Sequence, residues 1–456
     1  MVLDGVDAHH RDPSVGPAGI AGRPAVSYGT DGLLISLDDP RAADAERVGP
    51  KAANLAGLAR AKLPTPGGFC ITADAYRLQC AALDLGAALS RFRDASQIDQ
   101  RRLSVDIRLK LYQAPIEPRI LEPLLAAWRA QRRASGEPGA VRSSALIEDR
   151  AGANFAGQFE SFLGLTDEGE LLTAVRACWA ALWTTNARRY MSNHGLNPAD
   201  TAMAVIVQPL IAARASGGGL SETADGHMLL SATWGLGSAI AQGQVVPDRI
   251  VLSRQGFVRT IEAGRKDHRE TCVHGEGTAS QAVPQALVRE PCLDPGQAVT
   301  LGRLLRKAED HMGMPVEIEW ALDDKGFKLL QARPLQVAPA CVPDEIWLQH
   351  PGINGHPAGI GWGSGRAVVV NCECELTRVA PGDILVTRVA GPALSHILPR
   401  VAGVVAELGG STSHLASLAR ERGIPMVLGV LDATTKIPDG AQVAVDGVAG
   451  IVRWIR

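Results

Sequence analysis

The stretch ELGGSTSHLASLARERGIPMVLGV, residues 407–430, decides how this chain is read. RVAGVVAEL before it (400–408) is an apolar run of strand length, and Gly409-Gly410 is a tight turn. STSHLASLARER has helical spacing, Gly423 stands where a helix end takes a left-handed residue, Pro425 follows, and PMVLGV is a second strand. Strand, turn, helix and strand are α/β grammar. His414 falls in the first helical turn, where unpaired N–H groups and the positive end of the dipole favour an anion. The same field disfavours imidazolium, so the ring is expected neutral with a lone pair free to attack phosphorus. Ser411, Thr412 and Ser413 can cap the helix or donate to phosphoryl oxygens, and the glycines let the backbone approach a ligand. A phosphate-carrying histidine accounts for the stretch. From these residues alone, a capped helix end followed by an ordinary histidine accounts for it equally.

Upstream, VGPKAANLAGLARAKLPTPGGFCITADAYRLQ predicts a helix over 51–61, a strand at 68–71 and a second helix capped by Thr72 or Asp74. A largely helical stretch, 75–134, follows. MAVIVQPLI (203–211), HMLLSATWGLG and DRIVLSRQGFVRTIE supply strands of a mixed sheet. VEIEWALDDKGFKLLQARPLQV alternates as a hairpin turned at DDKG, with Val316, Ile318 and Trp320 on one face and Glu317 and Glu319 on the other. VAPACVPDE, 337–345, has two prolines and no periodicity and is the expected domain boundary. The chain then closes in a hairpin, QVAVDGVAGIVRWI, with Asp446-Gly447 as its turn. Residues 1–30 are Gly, Pro and Ala rich without periodicity and read as a flexible lead-in.

With 456 residues, 46% apolar and 21% charged, the chain is globular and long enough for several domains. A net charge of -2 gives no reason to expect nucleic acid or a membrane surface as partner. No leader pattern or long apolar run is evident, so a cytoplasmic location is expected. The eight cysteines show no metal-site or disulfide spacing and are expected reduced. Cys372 and Cys374 in VVVNCECEL read as one face of a strand rather than a metal site.

The stretch GGSTSHLASLARERGIP resembles the phosphohistidine signature of enzymes related to phosphoenolpyruvate synthase, pyruvate phosphate dikinase and rifampicin phosphotransferase. PGDILVTRVAGPALSHILPRVAGVVAELGG and DGAQVAVDGVAGIV resemble that family's mobile domain. In the first part, VGPKAANLAGL, GFCITADAYR, VRSSALIEDRAGANFAGQFESFLGL, MAVIVQPLI, ATWGLGSAIAQGQVVPDRIVL and VEIEWAL…KLLQARPL match, in order, its nucleotide-binding domain. The resemblance implies an α/β fold: an ATP-grasp nucleotide-binding domain at 31–340, then a small swivelling β/β/α phosphohistidine domain at 341–456.

By position it implies that Lys51 and Arg142 contact ATP phosphates, that Gln208 lies near the adenine hinge, and that Glu319 and Gln331 ligate Mg²⁺. Arg333 would face the phosphoryl groups, Glu317 sits in the nucleotide site where relatives often have aspartate, and His414 is the phosphorylated residue, with Thr412 beside it. The chemistry agrees, since hard oxygen donors suit Mg²⁺ and Lys and Arg suit phosphate oxygens. Taken singly, Lys51 reads as a solvated helix residue, Arg142 as an ion-pair partner of Glu148 or Asp149, and Glu317 and Glu319 as a wet strand face. Three departures stand out: SGGGLSETADG (216–226) lacks the usual phosphate-covering sequence, TTNARRYMS lacks an arginine before its alanine, and Pro50 replaces a glycine.

The implied reaction is of the dikinase type, with ATP pyrophosphorylating His414, AMP and phosphate leaving, and phosphohistidine serving an acceptor. Relatives carry a further acceptor domain, and none is expected in this sequence. The acceptor is then a small hydroxyl or enol compound bound between the domains, or is held by a separate subunit; an inactive nucleotide-binding relative is the third alternative.

Overall fold

The computed structural model describes residues 32–148, 155, 158–159, 161–273, 277–337, 347, 349–350 and 352–455. Leu34–Ser36 (β1), Phe69–Ile71 (β2), Gly139–Ala145 (β3), Ser161–Leu165 (β4) and Met203–Pro209 (β5) form a sheet in the order β1-β2-β5-β3-β4. The apolar run at 203 is its central strand, buried from Met203 through Gln208, which is why it shows no alternation.

Ala215–Leu220 (β6), His227–Trp234 (β7), Asp248–Ser253 (β8) and Val258–Glu262 (β9) begin a second sheet. A separate hairpin, His268–Val273 (β10) and Gly277–Ala282 (β11), interrupts it in sequence, and Val316–Asp323 (β12) and Gly326–Pro334 (β13) complete it as β13-β12-β6-β7-β8-β9. The helix Pro295–Met312 packs Ala298, Leu301, Leu305 and Ala308 into one core with Val316, Ile318 and Trp320. Two sheets with helices packed on them make the expected ATP-grasp arrangement. A buried ion pair, Lys266 with Asp248, fastens this sheet to the chain leading into β10, and Asp248 also accepts from the backbone N–H groups of Gly264 and Cys292.

The remaining strands are Gly352–Asn354 (β14), His356–Pro357 (β15), Trp362–Val370 (β16), Ile384–Thr387 (β17), Gly403–Ala406 (β18), Met426–Leu428 (β19), Gln442–Asp446 (β20) and Ile451–Ile455 (β21). They form one sheet, β14-β21-β20-β16-β17-β18-β19-β15, whose strands β16 to β19 run parallel. The histidine helix, His414–Arg422, is the crossover from β18 to β19. This sheet has a valine-rich core of its own on one face. On the helical side, its apolar packing runs on into that of the first sheet.

Several expectations need correction. The helix predicted at 51–61 spans Ala45–Arg60 and is broken at Gly49, whose φ of 77° lets the backbone lie against Ser144. The helical stretch 75–134 falls within four helices, Ala73–Ala82, Gly86–Asp94, Gln97–Gln113 and Pro118–Ser135. SGGGL is no covering loop: it is β6, held between β12 and β7. The closing hairpin turns through residues 447–450 instead of at Asp446-Gly447, because Asp446 pairs with Ile451 and its carboxylate accepts from the Val448 and Ala449 amides. Cys372 and Cys374 are not strand residues, since β16 stops at Val370, and they are joined to each other as a disulfide. The expected boundary at 337–345 lies, apart from Val337, outside the described residues.

Candidate active site

The floor of the site is the hairpin β12/β13. Glu317 faces Arg333 across the ladder and Glu319 faces Gln331, with a bulge after Glu319 that leaves Leu330 without an opposite residue. The alternation read from sequence holds, but the face is only partly wet: Glu317, Gln331 and Arg333 are buried, with Glu317 covered by the histidine helix, while Glu319 stays partly exposed. Glu317 accepts from Arg333 Nε at 3.2 Å and from Arg420 Nη2 at 3.0 Å. Burial alone would raise its pKa, but the two guanidinium groups hold it below the ordinary value.

The first sheet supplies a wall. Arg142 on β3 donates from Nη2 to Glu319 Oε2 at 2.6 Å and from Nη1 to the Leu330 carbonyl at 3.0 Å, so it clamps the bulged hairpin. Burial pushes the Glu319 pKa up, yet Arg142 together with the other positive groups around it more than offsets this and the carboxyl lies at about 2. Lys51, just past the Gly49 break, pairs with the fully buried Glu148 at 2.9 Å. The ion pair foreseen for Glu148 therefore exists, with Lys51 as the partner, while Arg142 belongs to Glu319. Gln208 is buried on β5, and its side-chain amide donates to the Gly67 carbonyl at 2.8 Å.

Between these walls lies a cleft of about 570 Å³. Arg142, Gln208, Glu317, Glu319, Thr412 and His414 all line it, and Leu163, Leu210, Ile211 and Ile240 form an apolar stretch of the lining. A volume and lining of this kind suit a small planar molecule with a charged end.

The third sheet closes the cleft with the histidine helix. Ser413 is the cap, its Oγ accepting from the Ala416 amide at 3.2 Å, so the helix starts at His414, which lies in the first helical turn as expected. Burial depresses the His414 pKa to about 4, with Arg333 and Lys51 adding to the effect and Glu319 opposing it. The imidazole is neutral at pH 7. Thr412 also lines the cleft, and its Oγ1 has no hydrogen-bond partner among the described residues. Opposite it is Gly218, where a Cβ would stand 2.5 Å from Thr412 Cβ; the glycine run in β6 is thus what lets the two domains touch here. Ser411 is otherwise engaged, donating to the Pro357 carbonyl.

The nine residues singled out by sequence thus gather around one cleft: six line it, Lys51 and Arg333 act on His414 through their charge, and Gln331 sits opposite Glu319. Sequence reasoning missed Arg420, although it stands in the opening stretch. Only its six-residue spacing from His414 on the same helix could have hinted at it. It also missed Glu148, which was considered for the wrong partner. Among the described residues, no group of three or more His, Cys, Asp or Glu gathers as a metal cluster. The oxygen set Glu319 plus Gln331 fits Mg²⁺ when phosphate oxygens and water fill its other positions. Among the described residues, no helix is long and apolar enough to cross a membrane.

Residues 45–346 match the family described as pyruvate phosphate dikinase, AMP/ATP-binding domain, and residues 379–450 match the PEP-utilising enzyme mobile domain. Phosphoenolpyruvate synthase of Aeropyrum pernix is 31% identical over 472 residues, an alignment covering 92% of this chain and 58% of that protein. Phosphoenolpyruvate synthase of Pyrococcus furiosus is 30% identical over 473 residues, covering 90% and 57%. The chain spans a little over half the length of these relatives.

Proposed function

Since this chain belongs to the phosphoenolpyruvate synthase and pyruvate phosphate dikinase family, we propose that it is an ATP-dependent phosphotransferase of the dikinase type that works through His414. The observation that carries the reading is the meeting of a neutral histidine from one domain with the cations and carboxylates of another inside one cleft. The adenine lies along the apolar lining near Gln208, and the phosphates point to Lys51, Arg142 and Arg333. The His414 lone pair attacks the β-phosphorus, the bond from that phosphorus to the α-phosphate oxygen breaks, and AMP leaves with that oxygen.

The three cations face oxygens that gain charge in this step, and they do so where water is scarce. Thr412 Oγ1, without a partner among the described residues, donates to the incoming phosphoryl oxygens. Glu319 and Gln331 hold Mg²⁺, whose contribution is to neutralise phosphate charge. Water then takes the outer phosphate, and phosphohistidine passes the inner one to an acceptor, so that one difficult transfer becomes two easier ones.

The nucleotide domain is taken as residues 31–340 and the phosphohistidine domain as residues 341–456. In the closed arrangement His414 lies between the two, so the acceptor meets it only after they part. The acceptor class is a small hydroxyl or enolisable compound, bound by this chain or by a separate subunit. The relatives' name makes pyruvate the first to test.

Incubation with ATP labelled at the β-phosphate should leave acid-labile label on His414 and release AMP. Label that survives His414→Ala refutes the reading.

A further inference from the structure

The last turn of the histidine helix carries three consecutive charges, Arg420, Glu421 and Arg422, before Gly423 ends it at a φ of 68°. Cations suit a helix C-terminus, but a carboxylate there opposes the dipole. Glu421 is nonetheless nearly buried, with 4% of its side chain exposed. Two groups of the nucleotide domain meet it: Tyr190 donates from its hydroxyl to Glu421 Oε1 at 2.6 Å, and His194 Nε2 lies 3.2 Å from the same oxygen. Arg422 lies over the Tyr190 ring, 5.8 Å from its centre. Arg420 reaches Glu317 on β12 and, from its other terminal nitrogen, donates to the Ser411 carbonyl at 2.6 Å. All three charges therefore bridge from the moving element to the base.

We infer that Arg420, Glu421 and Arg422 form a clasp that fixes the histidine domain at the nucleotide station, with Arg420 positioning the loop that carries His414. The inference rests on the phosphohistidine reading above. Apolar contact between the domains supplies adhesion without direction. Ion pairs and hydrogen bonds between fixed partners supply register, yet their net stability is small because each charge must be stripped of water. Such a clasp sets the pose and still opens. Arg420 joins two jobs, since the guanidinium that reads Glu317 in the floor also holds the backbone three residues before His414.

Tyr190 and Glu421 do not line the cleft, which makes them the place to test the clasp. Single-turnover labelling with β-labelled ATP should slow about tenfold in Glu421→Ala and in Tyr190→Phe, with ATP affinity unchanged. The double variant should be no slower than the slower single one, because both remove one contact. A merely structural role would lower the amount of folded protein and leave the rate per folded molecule alone. Amide exchange without nucleotide reads docking separately: residues 411–423 and 186–194 should exchange faster together in either variant. If both variants label at the wild-type rate and keep wild-type exchange, the clasp is wrong. If the wild type takes no label but the variants loosen exchange in both segments, the clasp stands and the phosphohistidine reading falls.

Discussion

Arg142 Nη2 lies 2.6 Å from Glu319 Oε2, and this bond ties β3 of the first sheet to β12 of the second beside the cleft. The carboxylate is thereby kept ionised and aimed. Replacing Glu319 by glutamine keeps the shape and removes the charge proposed to hold Mg²⁺. AMP formation should fall on the order of a hundredfold or more, in keeping with the several kcal/mol that a metal supplies to phosphoryl transfer. An AMP-release assay at saturating Mg²⁺ checks it, and a wild-type rate would move the metal elsewhere.

The depressed His414 pKa, about 4 against an ordinary 6.5, makes a kinetic prediction. Only the neutral ring has a lone pair to attack with. Labelling by ATP should therefore hold steady from pH 8 down to about 5 and fall below that, with no inflection near 6.5. Rapid-quench rates across the range test this.

The same depression has a stability consequence. His356 is pushed to about 4 as well, by burial and then by Arg249. Between pH 6.5 and 4 the unfolded chain binds protons at both histidines that the folded chain does not, so stability is lost as pH falls through this window. Each site contributes a slope of up to about 1.4 kcal/mol per pH unit. Urea midpoints should drop from pH 7 to pH 4.5, and His356→Gln should flatten the drop.

Gly218→Ala tests the meeting of β6 with the histidine loop. The added methyl would stand 2.5 Å from Thr412 Cβ, with the Thr412 side chain unable to retreat from its own backbone. Overpacking at such a contact costs about 1–3 kcal/mol, which predicts histidine labelling slower by roughly tenfold to a hundredfold. The circular dichroism spectrum should stay as in the wild type.

Lys266→Met tests the buried pair with Asp248, both of whose side chains are fully buried. It leaves a carboxylate uncompensated away from water, at a cost of about 3–5 kcal/mol. Denaturant unfolding should show that loss, while AMP formation per folded molecule stays near wild type, since neither residue lines the cleft.

Much of this was legible in the sequence, for identifiable reasons. The period of two in 316–334 marks a hairpin, and the alternation by itself puts Glu317 and Glu319 together on one face of it. The helix start at His414 was legible because capping residues and the Gly423 stop are local signals. What was not legible is what depends on partners far along the chain. Alternation cannot tell whether a polar face meets water or another domain, so Glu317 and Glu319, taken singly, read as a solvated surface. A run of glycines looks like a loop, and only the neighbouring strands make residues 215–220 a strand. Ion-pair assignment failed likewise, since Glu148 had a nearby candidate in Arg142 and its true partner, Lys51, lies nearly a hundred residues away.

The contact between Arg420 and Glu317 joins a residue of the arm to a residue of the base. Lys51, Arg142 and Arg333 also belong to the base. In the proposed swing the arm leaves those three cations behind, and it leaves Glu317 too, so Arg420 would travel without its counterion. The charge of Arg420 then stands uncompensated on the same helix as the histidine proposed to carry phosphate.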